Sequence, residues 1–119
     1  MIEYIFSPSS PKPRGPYTPA VRAGDFIYVA GQAVVGDVKA ATRQILTNIG
    51  AVLEAAGASL ADVVRCGVFL LDGNDFQPMN EAYAEMFGDT RPARTTVVVA
   101  GIPLKDAKVE IDAIAYKPR

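Results

Sequence analysis

The feature that most constrains the fold is one long amphipathic segment, residues 38–56. Its apolar side chains recur at spacings of three and four residues, which predicts a helix with a single buried stripe. The stripe consists of Ala41, Ile45, Leu46, Ile49, Val52, Leu53 and Ala56. Gly57 follows at the position where a helix C-terminal cap belongs. A helix of this kind needs one apolar surface to pack against.

Strand-like segments surround this helix. Six of them are apolar or alternate in polarity, and we assign strands to residues 2–6, 21–23, 26–30, 63–71, 94–99 and 109–116. Gly31 and Gln32 are expected to end the third strand. A second helix is expected between the fourth and fifth strands, with Asp75 as its cap and Gly88 at its end. The resulting order, β-β-β-α-β-α-β-β, predicts an α+β fold with two helices on one face of a six-stranded mixed sheet.

The length of 119 residues predicts one domain spanning residues 1–119. Two helices can cover one face of such a sheet but not both faces. Because half of the residues are apolar, we expect a partner subunit to cover the other face.

Composition disfavours several functional classes. The net charge is −1 and the sequence pI is about 5.3, without a run of basic residues, so nucleic-acid binding is not expected. No apolar run approaches the ~20 residues that cross a bilayer, and no secretory signal is visible. Cys66 is the only cysteine, so no intrachain disulfide can form. We expect a cytoplasmic protein that does not associate with membranes.

The chain contains no histidine, which excludes Ser-His-Asp and Cys-His catalysis and histidine-ligated metals. The remaining candidates are an arginine and a glutamate. Arg94 stands at the start of a β-branched run, and its guanidinium can hold a carboxylate in two parallel hydrogen bonds. Glu110 lies near the start of the last strand, where it could orient a water. The pair suggests a site that hydrolyses a small acid.

Six fragments, taken in order, give the chain a family resemblance. They are GPYTPAV at 15–21, YVAGQ at 28–32, NIGAVLEAAG at 48–57, DFQPMN at 75–80 with Tyr83, PAR at 92–94, and VEIDAIA at 109–115. Together they resemble the YjgF/RidA family of reactive-intermediate (enamine/imine) deaminases, and they span nearly the whole chain. The resemblance implies a fold like that of the Bacillus-type chorismate mutase, assembled as a homotrimer with pockets between subunits. It also implies hydrolysis of 2-aminoacrylate and related imines to 2-oxo acids and ammonia, without metal or cofactor.

The resemblance also implies roles for individual residues. Arg94 matches the arginine that grips the substrate carboxylate, and Glu110 matches the glutamate that positions water or handles a proton. The alternatives are a solvated Arg94 and a Glu110 paired with Lys108 or Arg119. Arg91 has no family counterpart and is expected to be solvated.

Four further positions match residues that shape the substrate pocket: Tyr17, Gly31, Asn80 and Thr96. Tyr17 could equally be an ordinary loop aromatic, Gly31 an ordinary strand-end glycine, and Asn80 an exposed helix residue. Thr96 stands where deaminating relatives often have cysteine. By strand alternation Thr96 shares a face with Arg94. The resemblance implies that the backbone carbonyl at this position carries its role in the site, and threonine supplies that carbonyl as cysteine does.

Three functional readings remain open at this stage. The first is a deaminase for small 2-enamine and 2-imine acids. The second is a catabolic deaminase for a larger substrate such as 2-aminomuconate. The third is a non-catalytic module that senses a small carboxylate or binds a partner protein. RNA cleavage, an older label in the family, is less favoured because the chain has neither histidine nor a basic patch.

Overall fold

The computed structural model describes all 119 residues and has the element order that the sequence predicts. The strands are β1 Ile2–Ile5, β2 Ala20–Ala23, β3 Phe26–Val35, β4 Val63–Leu70, β5 Ala93–Val98 and β6 Ala107–Tyr116. The helices are α1 Val38–Ala55 and α2 Phe76–Phe87, each with a short 3₁₀ turn nearby, at Leu60–Asp62 and Gly73–Asp75. The six strands form one sheet in the order β1-β2-β3-β6-β4-β5. Only β4 and β5 run parallel, so the predicted α+β fold with a mixed sheet is confirmed.

Both helices lie on the same face of the sheet. Helix α1 packs against β3, β6 and α2, and Asp37 caps its start by accepting a hydrogen bond from the Ala40 backbone N–H at 3.1 Å. The predicted stripe is buried from Ala41 to Leu53, while Ala56 is only partly buried at the edge of the core. Its counterparts on the sheet are the inward residues of the central strands, among them Val68, Ile111 and Ala113. This single apolar layer between helices and sheet is the core of the fold.

Two local expectations were wrong. Strand β3 does not end at Gly31 and Gln32 but continues to Val35. Its register with β6 shifts between Val29 and Gln32 and again between Ala33 and Val35. Each β-bulge leaves an extra residue of β3 unpaired, so that the pairing with β6 resumes beyond it and the strand continues. At the second helix, Asp75 makes no side-chain cap, because a 3₁₀ turn precedes the helix and Asp72 accepts from the Asn74 N–H instead.

The face of the sheet away from the helices, here called the open face, carries large exposed apolar side chains. Cross-strand partners share a face, and the pairs Tyr4–Val21, Val21–Tyr28 and Tyr28–Ile114 continue across four strands. The exposed side chains on this face include Ile2, Tyr4, Phe26, Tyr28, Val97 and Tyr116. An exposed apolar surface of this kind is typical of an interface with another molecule.

Neither helix combines the length and the apolar character that crossing a bilayer would require.

Candidate active site

The first part of the site is a cleft of about 460 Å³ at the open face, here called the glutamate cleft. Four parts of the chain build it: the proline-rich loop before β2, the bulged middle of β3, the connection between β5 and β6, and the first half of β6. Its lining residues are Arg14, Tyr17, Ala30, Gly31, Ala33, Pro103, Leu104 and Glu110. The structure therefore brings together three of the predicted residues, Tyr17, Gly31 and Glu110.

Glu110 is half-buried and takes part in none of the salt bridges of the chain. The alternative pairing with Arg119 is wrong, because Arg119 binds Glu3, and Lys108 makes no salt bridge to it either. Burial, and secondarily the nearby Asp112 carboxylate, raise the pKa of Glu110 above the ordinary glutamate value. Asp112 is itself held in place, since its Oδ1 accepts the Gly67 N–H at 2.8 Å. A carboxyl with a raised pKa is suited to exchanging protons near neutral pH.

Gly31 and Tyr17 shape the cleft around this carboxyl group. A Cβ atom placed on Gly31 would lie 2.5 Å from Glu110 Oε2, so only glycine leaves room for the carboxylate. Tyr17 is fixed by two hydrogen bonds within its loop. Its hydroxyl accepts from the Arg14 backbone N–H at 3.3 Å, and its own N–H donates to the Gly15 carbonyl at 2.9 Å.

The second part of the site is a separate cleft of about 530 Å³ beneath helix α2, here called the arginine cleft. It lies on the helix-covered face, at the edge strand β5. Its lining residues are Asn80, Tyr83, Ala84, Arg91, Pro92 and Arg94. Two predicted residues, Arg94 and Asn80, meet here.

The Arg94 guanidinium rests on helix α2 without a carboxylate partner. It lies over the ring of Tyr83 with 4.7 Å to the centroid, and over the ring of Phe76 with 5.7 Å. Nη1 donates to Met79 Sδ at 3.8 Å. None of the five salt bridges in the chain involves Arg94. Aromatic faces hold a cation without neutralising it, so this guanidinium remains free to bind an anion.

The other predicted residues are placed as follows. Asn80 is half-buried rather than fully exposed; its Nδ2 donates to Gln77 Oε1 at 3.3 Å, and its Oδ1 is buried without a partner. Thr96 is half-buried on the same face of β5 as Arg94, as alternation predicts, but it lines neither cleft. Arg91 is exposed and its Nε donates to the Gly88 carbonyl at 2.9 Å, although it also borders the arginine cleft.

The two clefts lie on opposite faces of the sheet. Arg94 pairs in register with Cys66 of β4, whose side chain is in the core. Glu110 pairs with Phe69 of the same strand, three residues further along and therefore on the other face. Within one chain, the predicted arginine and glutamate do not share a pocket.

Sequence reasoning missed some of the surroundings of these residues. Phe76, Met79 and Tyr83 lie in or beside a fragment that carries the family resemblance, but none of them was predicted to contact Arg94. Arg14 also went unnoticed, although it immediately precedes the Gly15-Pro16-Tyr17 fragment.

Two other groups near Arg94 are poor nucleophiles or bases. Burial raises the pKa of the Cys66 thiol and that of the Tyr83 hydroxyl, so both keep their protons at neutral pH. No three cysteine, aspartate or glutamate side chains are grouped in a way that would hold a metal ion. The ionisable side chains available for chemistry in the two clefts are therefore those of Glu110, Tyr17 and the arginines.

The sequence matches the protein family described as Endoribonuclease L-PSP over residues 7–117, which is nearly all of the chain. The chain belongs to the YjgF/RidA family. The family resemblance deduced from the six fragments is therefore confirmed.

Individual relatives align with more than nine-tenths of the chain. It is 52% identical over 126 residues to a RutC family protein of Pyrococcus horikoshii, with 98% of this chain and 99% of the relative aligned. It is 40% identical over 119 residues to a protein of Dermatophagoides farinae named 2-iminobutanoate/2-iminopropanoate deaminase, with 92% of each aligned. The crystal structure of E. coli TdcF with bound serine matches with a TM-score of 0.90 and 35% identity, over 97% of this chain and 98% of that one. The family fold is thus shown by both sequence and structure.

Proposed function

We propose that this protein is a deaminase that hydrolyses small 2-enamine and 2-imine acids, such as 2-aminoacrylate, to 2-oxo acids and ammonia. The site is formed between subunits of a homotrimer. In it, the arginine cleft of one chain faces the glutamate cleft of the next, so that Arg94 and Glu110 meet across the interface. The apolar open face supplies the surface for this assembly.

The observation that carries the proposal is the free Arg94 guanidinium. An arginine that is half-buried, stacked on two aromatic rings and unpaired with any carboxylate is prepared to receive one from a ligand. The proposal also draws on the family, one of whose members carries the name of an imine deaminase. The serine bound to TdcF is itself a small molecule with a carboxylate.

The reaction needs few groups. The enamine tautomerises to its imine, and Arg94 binds the carboxylate next to the imine carbon. A water held by Glu110 and the Thr96 carbonyl adds to that carbon. Glu110 accepts a proton from the water and returns it to the nitrogen, so that the carbon bears a hydroxyl and an amino group. Glu110 then moves the hydroxyl proton to the amino nitrogen, the C=O bond forms, the C–N bond breaks, and ammonia leaves the 2-oxo acid.

Such a sparse site is sufficient because imines hydrolyse readily in water. Holding the substrate and the water in reacting geometry replaces a bimolecular encounter by an oriented one. A single proton shuttle whose pKa is raised towards neutrality supplies the rest. The proposed role of Tyr17, Gly31 and Asn80 is to shape the pocket and offer hydrogen bonds to the substrate.

The direct test is to generate 2-aminoacrylate in situ from a dehydratase and measure the release of pyruvate with and without purified protein. We expect acceleration by the wild-type protein and little by Arg94→Ala at equal concentration. The same assay with 2-aminomuconate distinguishes a catabolic deaminase for larger substrates. Binding of pyruvate or serine without any acceleration would instead identify a sensing module and contradict the proposal.

A further inference from the structure

We propose that Arg14 gives the site a second anion-binding pole, so that it favours 2-imino acids with a second carboxylate on a short side chain. This inference rests on the proposed deaminase function and specifies its substrate class. It concerns a residue of the glutamate cleft that the hydrolytic steps do not use.

Arg14 lines the glutamate cleft together with Tyr17 and Glu110. It also borders the small recess next to that cleft, where Lys12 stands beside it. Neither cation takes part in any salt bridge of the chain. The hydrogen bond from the Arg14 backbone N–H to the Tyr17 hydroxyl ties this part of the loop to the cleft wall, while the guanidinium makes no hydrogen bond of its own.

No carboxylate of the chain is paired with these cations. Glu110 is the only acidic residue that lines the cleft, and it forms no salt bridge with Arg14 or Lys12. A ligand that enters therefore meets an unneutralised guanidinium. Carboxylates are the groups that a guanidinium binds best among common metabolite anions other than phosphates.

The arrangement of the lining residues indicates where the second carboxylate would sit on the substrate. When Arg94 binds the carboxylate next to the imine carbon, and Glu110 handles the water at that carbon, the substrate's side chain is left to extend into the glutamate cleft. The wall there is made of small and apolar groups, Ala30, Ala33, Pro103 and Leu104. Methylene groups fit such a wall, and Arg14 supplies a cation for a terminal anion.

The size of the cleft is in keeping with a substrate of this kind. Its volume of about 460 Å³ lies within the range of small-molecule sites, roughly 300–1,000 Å³. A water takes up about 30 Å³ of liquid, so a three-carbon imino acid alone would leave much of the cleft filled with water. A dicarboxylic imino acid with one or two methylene groups uses more of the apolar wall and reaches the cation.

The test compares imines generated in situ by amino-acid oxidases from alanine, aspartate and glutamate, with semicarbazide as the competing trap. The measured quantity is the ratio of kcat/KM for the dicarboxylic imines to that for the alanine-derived imine. We expect Arg14→Gln to lower this ratio about tenfold, since an accessible charge-assisted contact contributes ~1.4 kcal/mol. Arg14→Lys should restore part of it. Arg119→Gln removes one positive charge away from both clefts and should leave the ratio at the wild-type value.

The outcomes separate the two proposals. Hydrolysis of the alanine-derived imine with the same ratio in wild type and Arg14→Gln would overturn the role of Arg14 and leave the deaminase function standing. An equal fall in the ratio for Arg119→Gln would also overturn it, because the effect would then be one of net charge. Absence of turnover with all three imines would refute the deaminase function, and the inference with it.

Discussion

Gly31 and Glu110 lie so close together that no side chain fits between them. A Cβ atom on Gly31 would stand 2.5 Å from Glu110 Oε2 and 3.2 Å from its Cδ. The crowded atoms belong to the end of a flexible side chain rather than to the backbone. An added methyl group would therefore displace the carboxyl group from its place in the cleft without disturbing the sheet.

We accordingly expect Gly31→Ala to lower kcat for 2-aminoacrylate hydrolysis by tenfold or more, since misplacing a catalytic group by about 1 Å can cost roughly 100-fold. Thermal unfolding should change by only a few degrees. Gly73→Ala is the matched control, because a Cβ atom there meets only Val98 at an ordinary 3.8 Å. Wild-type turnover in a correctly folded Gly31→Ala protein would show that the position of the Glu110 carboxylate is unimportant.

The raised pKa of Glu110 predicts a particular pH dependence. Because the proposed mechanism uses the carboxylate, activity should rise with pH through the raised pKa, at a pH above the ordinary glutamate value of 4.5. Asp112→Asn removes the neighbouring charge while its Oδ1 can still accept the Gly67 N–H. This change should shift the acid limb of the kcat profile to lower pH. Asp25→Asn is the distant control, and an equal shift in both variants would contradict the assignment.

The raised pKa of Glu110 also makes the stability of the folded protein depend on pH. A carboxyl group with a raised pKa in the folded state favours the folded protein when it is protonated. The free energy of unfolding of wild type relative to Glu110→Gln should therefore be greatest below about pH 4.5 and fall as pH rises through the folded-state pKa. Urea titrations of both proteins across this range measure the difference.

Glu110→Gln should also lower kcat more than it raises KM, as expected for a group that acts on water or protons and not on substrate binding.

How far the sequence predicts this molecule depends on the range of the interactions involved. The apolar stripe of α1 recurs every three or four residues within a single segment. This local pattern predicted the helix and its buried face correctly. The end of β3 was predicted wrongly because two bulges are needed to match β3 to β6, and their partner residues lie some eighty positions away. Asp75 failed as a cap because the neighbouring Asp72 initiated a 3₁₀ turn first.

In the candidate site, too, local features were predicted correctly and features set by long-range packing were not. Strand alternation correctly placed Thr96 and Arg94 on one face of β5. The aromatic rings around Arg94 could not be predicted in the same way, since they depend on how α2 docks on the edge strand. The separation of Arg94 from Glu110 likewise follows from strand register, since Arg94 lies opposite Cys66 and Glu110 opposite Phe69 of β4, and such long-range pairing is not encoded in local sequence.

Arg94 should not be replaceable by lysine. Arg94→Ala is expected to lose most of the turnover, because the substrate carboxylate then has no partner in the arginine cleft. Arg94→Lys should recover little, since an ammonium group cannot form two parallel hydrogen bonds with a carboxylate. Arg91→Lys is the matched control in the same cleft, where the change should have a small effect. Full activity of Arg94→Lys would show that only the charge is used.

Phe76 should assist Arg94 by holding its guanidinium. The ring is 43% exposed, so Phe76→Leu should leave stability nearly unchanged. Loss of an exposed cation–π contact, about 0.5–1 kcal/mol, should raise KM some two- to fivefold with a smaller change in kcat. Phe76→Tyr should behave like wild type, because it retains an aromatic face. Phe6→Leu, at another exposed phenylalanine, controls for the loss of a surface ring.

The position of Arg94 and Glu110 on opposite faces of one sheet leads to the last prediction, which concerns the assembly. If the site joins the arginine cleft of one subunit to the glutamate cleft of another, Arg94→Ala and Glu110→Ala homotrimers should each be inactive. Mixed trimers of the two should contain interfaces at which an intact Arg94 faces an intact Glu110. Partial activity should therefore return after subunit exchange, and with equal mixing about a quarter of all interfaces would carry both intact residues.

The experiment requires native mass spectrometry to establish both the trimer and the exchange, since the two variants differ in mass. Co-expression of the two chains provides the same mixture without relying on exchange. A double variant carrying both substitutions in one chain, mixed equally with wild type, is the matched control. A shared site predicts about a quarter of intact sites in this mixture as well, whereas a site within one subunit predicts half here and none in the mixture of single variants. If mixed trimers are present and activity stays at zero, Arg94 and Glu110 do not act together across an interface. A monomer in solution would contradict the shared site before any activity is measured, because the open face would then have no partner subunit.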